Sequence, residues 1–257
     1  MNDSRRILEL AIKAGEILLY NGGEIFRVQE TMLRIAKAYG AEDFHVYIVS
    51  TGIFATALVD GRLHSTTLVQ IPLSAMHLGR VIAVNSLSRD IACGRCEIDE
   101  AFRRLETIEA IPFYPPWMRV LVTGLGCAGF GFILGGDFFD SVISFLSGAI
   151  LSCFLIYADR RKLSKIIANL MASALVTLCG LTFFHLGLGN HIDKIIIGSL
   201  MPLVPGVALT TSIRDFLNTD YLSGMIRLID TLLVASCIAI GVGAVLGAAS
   251  LFLGVVV

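Results

Sequence analysis

Between Ile195 and Asp230 the sequence IIIGSLMPLVPGVALTTSIRDFLNTDYLSGMIRLID sets Pro202, Pro205 and Gly206 inside an apolar run. Thr210, Arg214, Asp215, Asp220, Arg227 and Asp230 follow. Proline removes a backbone donor and collides with the carbonyl one turn earlier, so two prolines three residues apart followed by glycine should break or kink a helix. In a bilayer core the freed carbonyls and amides find partners only in neighbouring protein, ordered water or a bound polar solute. Broken helices accordingly mark binding sites in secondary transporters. Thr210, Thr211 and Ser212 add hydroxyls just beyond the break. The stretch reads as the transport site of a membrane carrier; the alternative is a proline kink that only shapes packing.

The charged residues each carry two readings. A guanidinium grips a carboxylate bidentately, so Arg214 or Arg227 can anchor a carboxylate-bearing solute; otherwise each is a helix-end charge facing the cytoplasm. Arg214 and Asp215 end one span and Asp220 opens the approach to the next. Asp230 lies one turn after Arg227 and before an uninterrupted apolar run, at or just inside the membrane boundary, where an ionisable group is costly. It either pairs with Arg227 or sits in the bundle and exchanges a proton. Asn169, Ser173 and Thr177 repeat every four residues, a polar stripe that lines a solute path or glues helices together.

Other reactive groups offer less. His185 and His191 flank a glycine-rich loop with Asn190 and Asp193, a spacing that makes no metal-ligand motif. Asp137 and Asp140 read as water-facing residues of another turn. Cys93-Gly-Arg-Cys96 lacks the second pair that a metal or redox centre would need. No nucleophile elbow, His-Glu-x-x-His pair or phosphate loop is present, so no cofactor and no enzymatic chemistry are expected.

Composition fixes what must position these residues. Hydrophobic residues make up 55% of the chain and charged ones 16%, and the mean hydropathy is +0.78, which belongs to the membrane class. Every glutamate lies within residues 1–116. The net charge of −1 offers no basic field, and nucleic-acid binding is excluded. The amphipathic start, MNDSRRILELAIKAGEILLY, has no continuous apolar core and is not a signal peptide.

The expected fold is an α-helical integral membrane protein with five transmembrane helices and an N-terminal α+β cytoplasmic domain. Residues 1–115 form that domain: helical periodicity over Ile7–Leu18 and Glu24–Tyr39, three β-rich runs with a hairpin signal at Asp60-Gly61, then helices over Leu73–Ala92 and Ile98–Ile111. Residues 116–257 form the transmembrane domain, with spans near 117–136, 138–157, 165–186, 195–213 and 226–252, each near the ~20 apolar residues that cross a bilayer. Tyr114 and Trp117 mark its interface. Glycine-rich faces, Gly124, Gly126, Gly129 and Gly131 in the first span and Gly241, Gly243 and Gly247 in the last, allow close helix approach. Arg160, Arg161, Lys162 and Lys165 between spans two and three place the N-terminus in the cytoplasm and the C-terminus outside.

NGGEIFRVQETMLRIAKAYG, HVYIVSTGIFA and, most specifically, LVPGVALTTSIRDFLNTDYLSGMIRLID resemble the N-terminal half of the threonine/serine exporter (ThrE-type) family of bacterial membrane proteins. The resemblance covers nearly the whole chain. It implies a cytoplasmic domain followed by five spans in the bacterial inner membrane, exporting threonine, serine or small carboxylates such as succinate, driven by protons. Because the sequence stops at Val257, it looks like the YjjP-type component of a split exporter that works with a second, small membrane subunit, as a homo- or hetero-oligomer. Pro205, Gly206, Arg214, Asp215, Asp220, Arg227 and Asp230 fall on the family's signature stretch. The competing reading is a membrane-anchored metabolite sensor or assembly subunit without transport activity.

Overall fold

A computed structural model describes residues 3–41, 43–49, 52–59, 62–69 and 76–253. They belong to two compact units, Met1–Phe113 with Asp220–Ser223, and Tyr114–Thr219 with Gly224–Val257.

In the first unit α1 (Asp3–Tyr20) and α2 (Ile25–Ala38) precede an antiparallel meander of β1 (Asp43–Val49), β2 (Gly52–Val59) and β3 (Arg62–Val69), followed by α3 (Leu78–Ala92) and α4 (Ile98–Glu109). The register pairs Val49 with Gly52 and Val59 with Arg62, so two-residue connections join the strands. The hairpin residues Asp60 and Gly61 lie outside the described residues, as do 73–75 of the expected third helix. Strand alternation turns Ile53, Ala55 and Ala57 inward. There they join Leu10, Leu18, Met32, Ile35 and Leu105 in one core.

The Asn21-Gly22-Gly23 stop has a specific construction. Gly22 takes φ +83°, and a Cβ on Gly23 would lie 2.8 Å from the Leu18 carbonyl oxygen. Asn21 is buried, donates from Nδ2 to the Ile17 carbonyl at 2.7 Å and accepts the His77 amide on its own carbonyl. The family-like NGGEIF stretch thus ends α1 and ties the turn to the start of α3.

In the second unit α5 (Pro116–Ile133), α6 (Phe138–Arg160) and α7 (Lys165–His185) are long apolar helices. They are followed by α8 (Ile192–Leu200), a 3₁₀ turn at Met201–Leu203, α9 (Gly206–Leu217) and α10 (Tyr221–Leu253), whose first residues, up to Ser223, group with the first unit. Among the described residues four helices are long and apolar enough to cross a membrane, or five if the bent α8–α9 pair counts as one span.

Small residues let these helices meet backbone to backbone. A Cβ on Gly198 of α8 would lie 2.8 Å from Gly131 Cα, one on Gly124 would meet Phe145 at 2.9 Å, and Gly148 rests against Cys127. Not every glycine of the expected stripes serves this way: Gly126, Gly129, Gly243 and Gly247 face open space, whereas Gly241 of α10 packs on Ser173 and Leu170 of α7.

Candidate functional site

The apolar stretch breaks where its prolines stand. Pro202 occupies the single 3₁₀ turn, Val204 is extended, and Pro205 caps α9, so the two halves meet at a 56° bend. The Gly206 amide turns back to the Val204 carbonyl at 2.8 Å. Gly206 itself is exposed, and a Cβ there would meet nothing within 4 Å, so close packing does not explain this glycine. The two halves differ in surroundings. α8 is packed, with Ile195, Ile196, Ser199 and Leu200 buried; along α9 only Ser212 is buried, and Pro202, Val204, Gly206 and Thr210 are exposed. Bare irregular backbone is not tolerated against lipid, which makes this an unusual surface for a membrane span.

Two of the three hydroxyls beyond the break are bonded within their own helix. Thr210 Oγ1 donates to the Gly206 and Val207 carbonyls, and Thr211 Oγ1 to Val207 at 2.6 Å. Ser212 Oγ reaches across to the Gly224 carbonyl at 2.9 Å, while Phe216 packs on Gly224. These two contacts fix α9 against the start of α10.

Arg227 and Asp230 of α10 each stand in an ion pair. Arg227 Nε lies 3.3 Å from Asp215 Oδ2 of α9, with the two side chains only 14% and 13% exposed. One turn later Asp230 Oδ2 accepts from Lys165 Nζ of α7 at 2.6 Å. Of the two readings of Asp230, pairing with Arg227 is not realised: each residue has a partner of its own. Residues three apart on a helix share a face, but here each side chain leans to a different neighbouring helix. Thr231 Oγ1 donates to the Arg227 carbonyl at 2.7 Å.

The remaining expected residues separate. Asp220 caps α10, accepting the Ser223 amide on Oδ1 at 3.2 Å, and Thr219 before it adopts φ +63°. Arg214 lies exposed in the last turn of α9. Asn169 is half-buried on α7. Ser173 and Thr177, below it, are fully buried and bond to the Leu170 and Ser173 carbonyls of their own helix. Gly241 of α10 closes over Ser173, so this part of the stripe lies in a helix contact.

Sequence reasoning missed a second constellation, at the opposite ends of α6 and α7 from Lys165. Asp137 and Asp140, expected to face water, form a reciprocal capping box at the start of α6, and Asp140 is fully buried. Its Oδ1 accepts the Asn190 amide at 2.8 Å and the His191 amide at 3.1 Å. Its Oδ2 accepts the Asp137 amide at 3.1 Å and lies 2.7 Å from His191 Nδ1. Asn190 Nδ2 also donates to Asp137. Asp137, Asp140 and His191 bring three potential metal-ligand atoms within 4.8 Å of one another. Four donors already use the lone-pair sites of the Asp140 carboxylate, which makes the group a clamp on the start of α8 instead of a cation cage. The Asp137-x-x-Asp140 spacing before an apolar run was the legible signal.

Residues 9–248 match the family described as "Putative threonine/serine exporter". The chain belongs to that family. It is similar to the "Probable threonine/serine exporter" of Mycobacterium tuberculosis, at 21% identity over 93% of this chain and 45% of that protein. It also resembles the "Probable succinate transporter subunit YjjP" of Escherichia coli, at 25% identity over 92% of this chain and 93% of the relative. The "Threonine/serine exporter" of Corynebacterium glutamicum is 22% identical over 92% of this chain and 50% of its own length. The chain thus spans about half of two of these relatives and nearly all of the third. No solved structure matches significantly.

Proposed function

We propose that this chain is a subunit of a proton-coupled secondary transporter in the bacterial inner membrane, exporting small amino acids such as threonine and serine or small carboxylates such as succinate. The observation that carries the reading is the broken span running into α9, whose Asp215 meets Arg227 in a largely buried ion pair. A membrane span kept for anchorage needs neither.

In this mechanism the solute lies against irregular backbone at Pro202, Pro205 and Gly206, and its carboxylate takes the place of Asp215 on Arg227. Asp230 exchanges Lys165 for a proton. Because Arg227 and Asp230 stand one turn apart on α10, a small shift of that helix alters both pairs together. Proton and solute then influence each other's binding reciprocally, as coupling requires. Asp220, used as a cap, has no part in the exchange.

A second membrane-spanning subunit or module covers the exposed break. Irregular backbone at bilayer depth needs protein or water against it, one relative is named as a subunit, and two others are about twice as long as the region they share with this chain. The Arg160, Arg161, Lys162 and Lys165 cluster between α6 and α7 favours a cytoplasmic first unit and an external C-terminus. Asp230→Asn, expressed at normal levels with its partner, is expected to abolish the pH dependence of export; pH-dependent export left intact would contradict the proton role.

A further inference from the structure

A groove of about 370 Å³ between α3 and α4 has no place in the transport mechanism. Its floor is apolar: Leu87 and Ile108 are buried, and Ala83 and Ile111 flank them. One acid and one base line the same groove. Arg104 Nη1 lies 3.2 Å from Asp90 Oδ2, and Arg104 Nη2 is held at 2.5 Å by Glu100, one turn earlier on α4.

We propose that this groove binds a small α-amino acid with an aliphatic side chain, its carboxylate on Arg104, its ammonium on Asp90 and its side chain on Leu87 and Ile108. The ligand's two charges are separated by a single carbon, which suits an acid and a base already in contact. A guanidinium has five N–H donors in a planar fork, so a carboxylate can replace Asp90 while Glu100 keeps its hold. The exchange trades one ion pair for two and buries no net charge. A dicarboxylate would set its second carboxylate against Asp90, and a simple amine or acid would satisfy only one of the two groups.

The cavity is at the small end of ligand pockets, which run from ~300 to ~1,000 Å³. Asp90 and Arg104 side chains remain 33% and 43% exposed, which limits the strength of each ionic contact. Affinity in the range of about 10 μM to 1 mM follows for a ligand of this size. The groove lies wholly in the first unit, and binding is read without any transport step, so this proposal and the transport proposal fail separately.

The test is equilibrium dialysis of labelled L-leucine against the full-length chain in detergent micelles. Competitors are 4-methylpentanoate, which lacks the ammonium, 3-methylbutylamine, which lacks the carboxylate, and succinate. Saturable leucine binding is expected, with each competitor at least about tenfold weaker than unlabelled leucine. Asp90→Asn and Arg104→Gln should each weaken binding by about tenfold or more while circular dichroism stays unchanged. Ser86→Phe, which fills the exposed rim and leaves both charges in place, should block binding as well. Absence of saturable binding up to about 10 mM overturns the proposal. So does binding that survives all three substitutions, since it then resides elsewhere in the chain.

Discussion

Asp140→Asn isolates the clamp that seats the broken span. The wild-type carboxylate is fully buried and holds four contacts between 2.7 and 3.1 Å, two of them to backbone amides of Asn190 and His191. Hydrogen bonds to a charged group contribute roughly 1.5–3 kcal/mol each, but they are not additive. Asn190 and His191 are exposed, so their freed amides can turn to water and recover part of the loss. The asparagine keeps one acceptor oxygen and points an N–H₂ at donors. A net cost of about 3 kcal/mol follows, bounded by the roughly 3–5 kcal/mol seen when one member of a buried pair is removed. His191→Ala removes a single contact of a half-exposed ring and should cost about 1 kcal/mol. At roughly 2–4 °C per kcal/mol for a unit of this size, Asp140→Asn should lower the melting temperature by on the order of 10 °C. The assay is thermal unfolding of the purified chain in detergent, followed by the fluorescence of Trp117. A shift for Asp140→Asn no larger than that of His191→Ala would refute the clamp.

Three further outcomes follow. Gly198→Val puts side-chain carbon where Gly131 backbone now lies, 2.8 Å from the new Cβ, and should cost about 1–3 kcal/mol or more in the same melts. Gly206→Ala, with open space around it, should change stability by less than about 0.5 kcal/mol. Burial, with the charges of Cys96 and Glu100 adding to it, pushes the Tyr39 hydroxyl up to about 12, and the group donates to the Cys96 carbonyl at 2.9 Å. Its folded-state value lies above the unfolded one, so its contribution is complete below about pH 10 and lost as pH rises toward 12. Tyrosinate absorbance should therefore show a late-titrating component that disappears in Tyr39→Phe.

The parts of the fold legible in the sequence are those governed by local rules. About twenty apolar residues must cross a bilayer whatever their neighbours, and two prolines stop a helix from within, so the long helices and the break at Pro202 and Pro205 could be read directly. Three β-rich runs parted by turn residues announced the meander of β1 to β3 in the same way. Pairing between distant residues could not be read. Asp230 has Arg227 three positions away, yet it binds Lys165, sixty-five positions away, because α7 and α10 pack on each other through Gly241 and Ser173. Asp140 shows both halves of the lesson. Its capping box lay open in the Asp137-x-x-Asp140 spacing, while Asn190 and His191 come to it only through the return of α7. Thr210 misled for a local reason: a threonine hydroxyl on a helix has its own carbonyls within reach.

The most direct measurement is efflux of labelled serine, threonine and succinate from cells lacking their own exporters, with this chain expressed alone and with a second membrane subunit of the same family. Flux of at least one solute only when both are present is the expected result. No flux in either case, with both proteins verified in the membrane, would contradict the transport function.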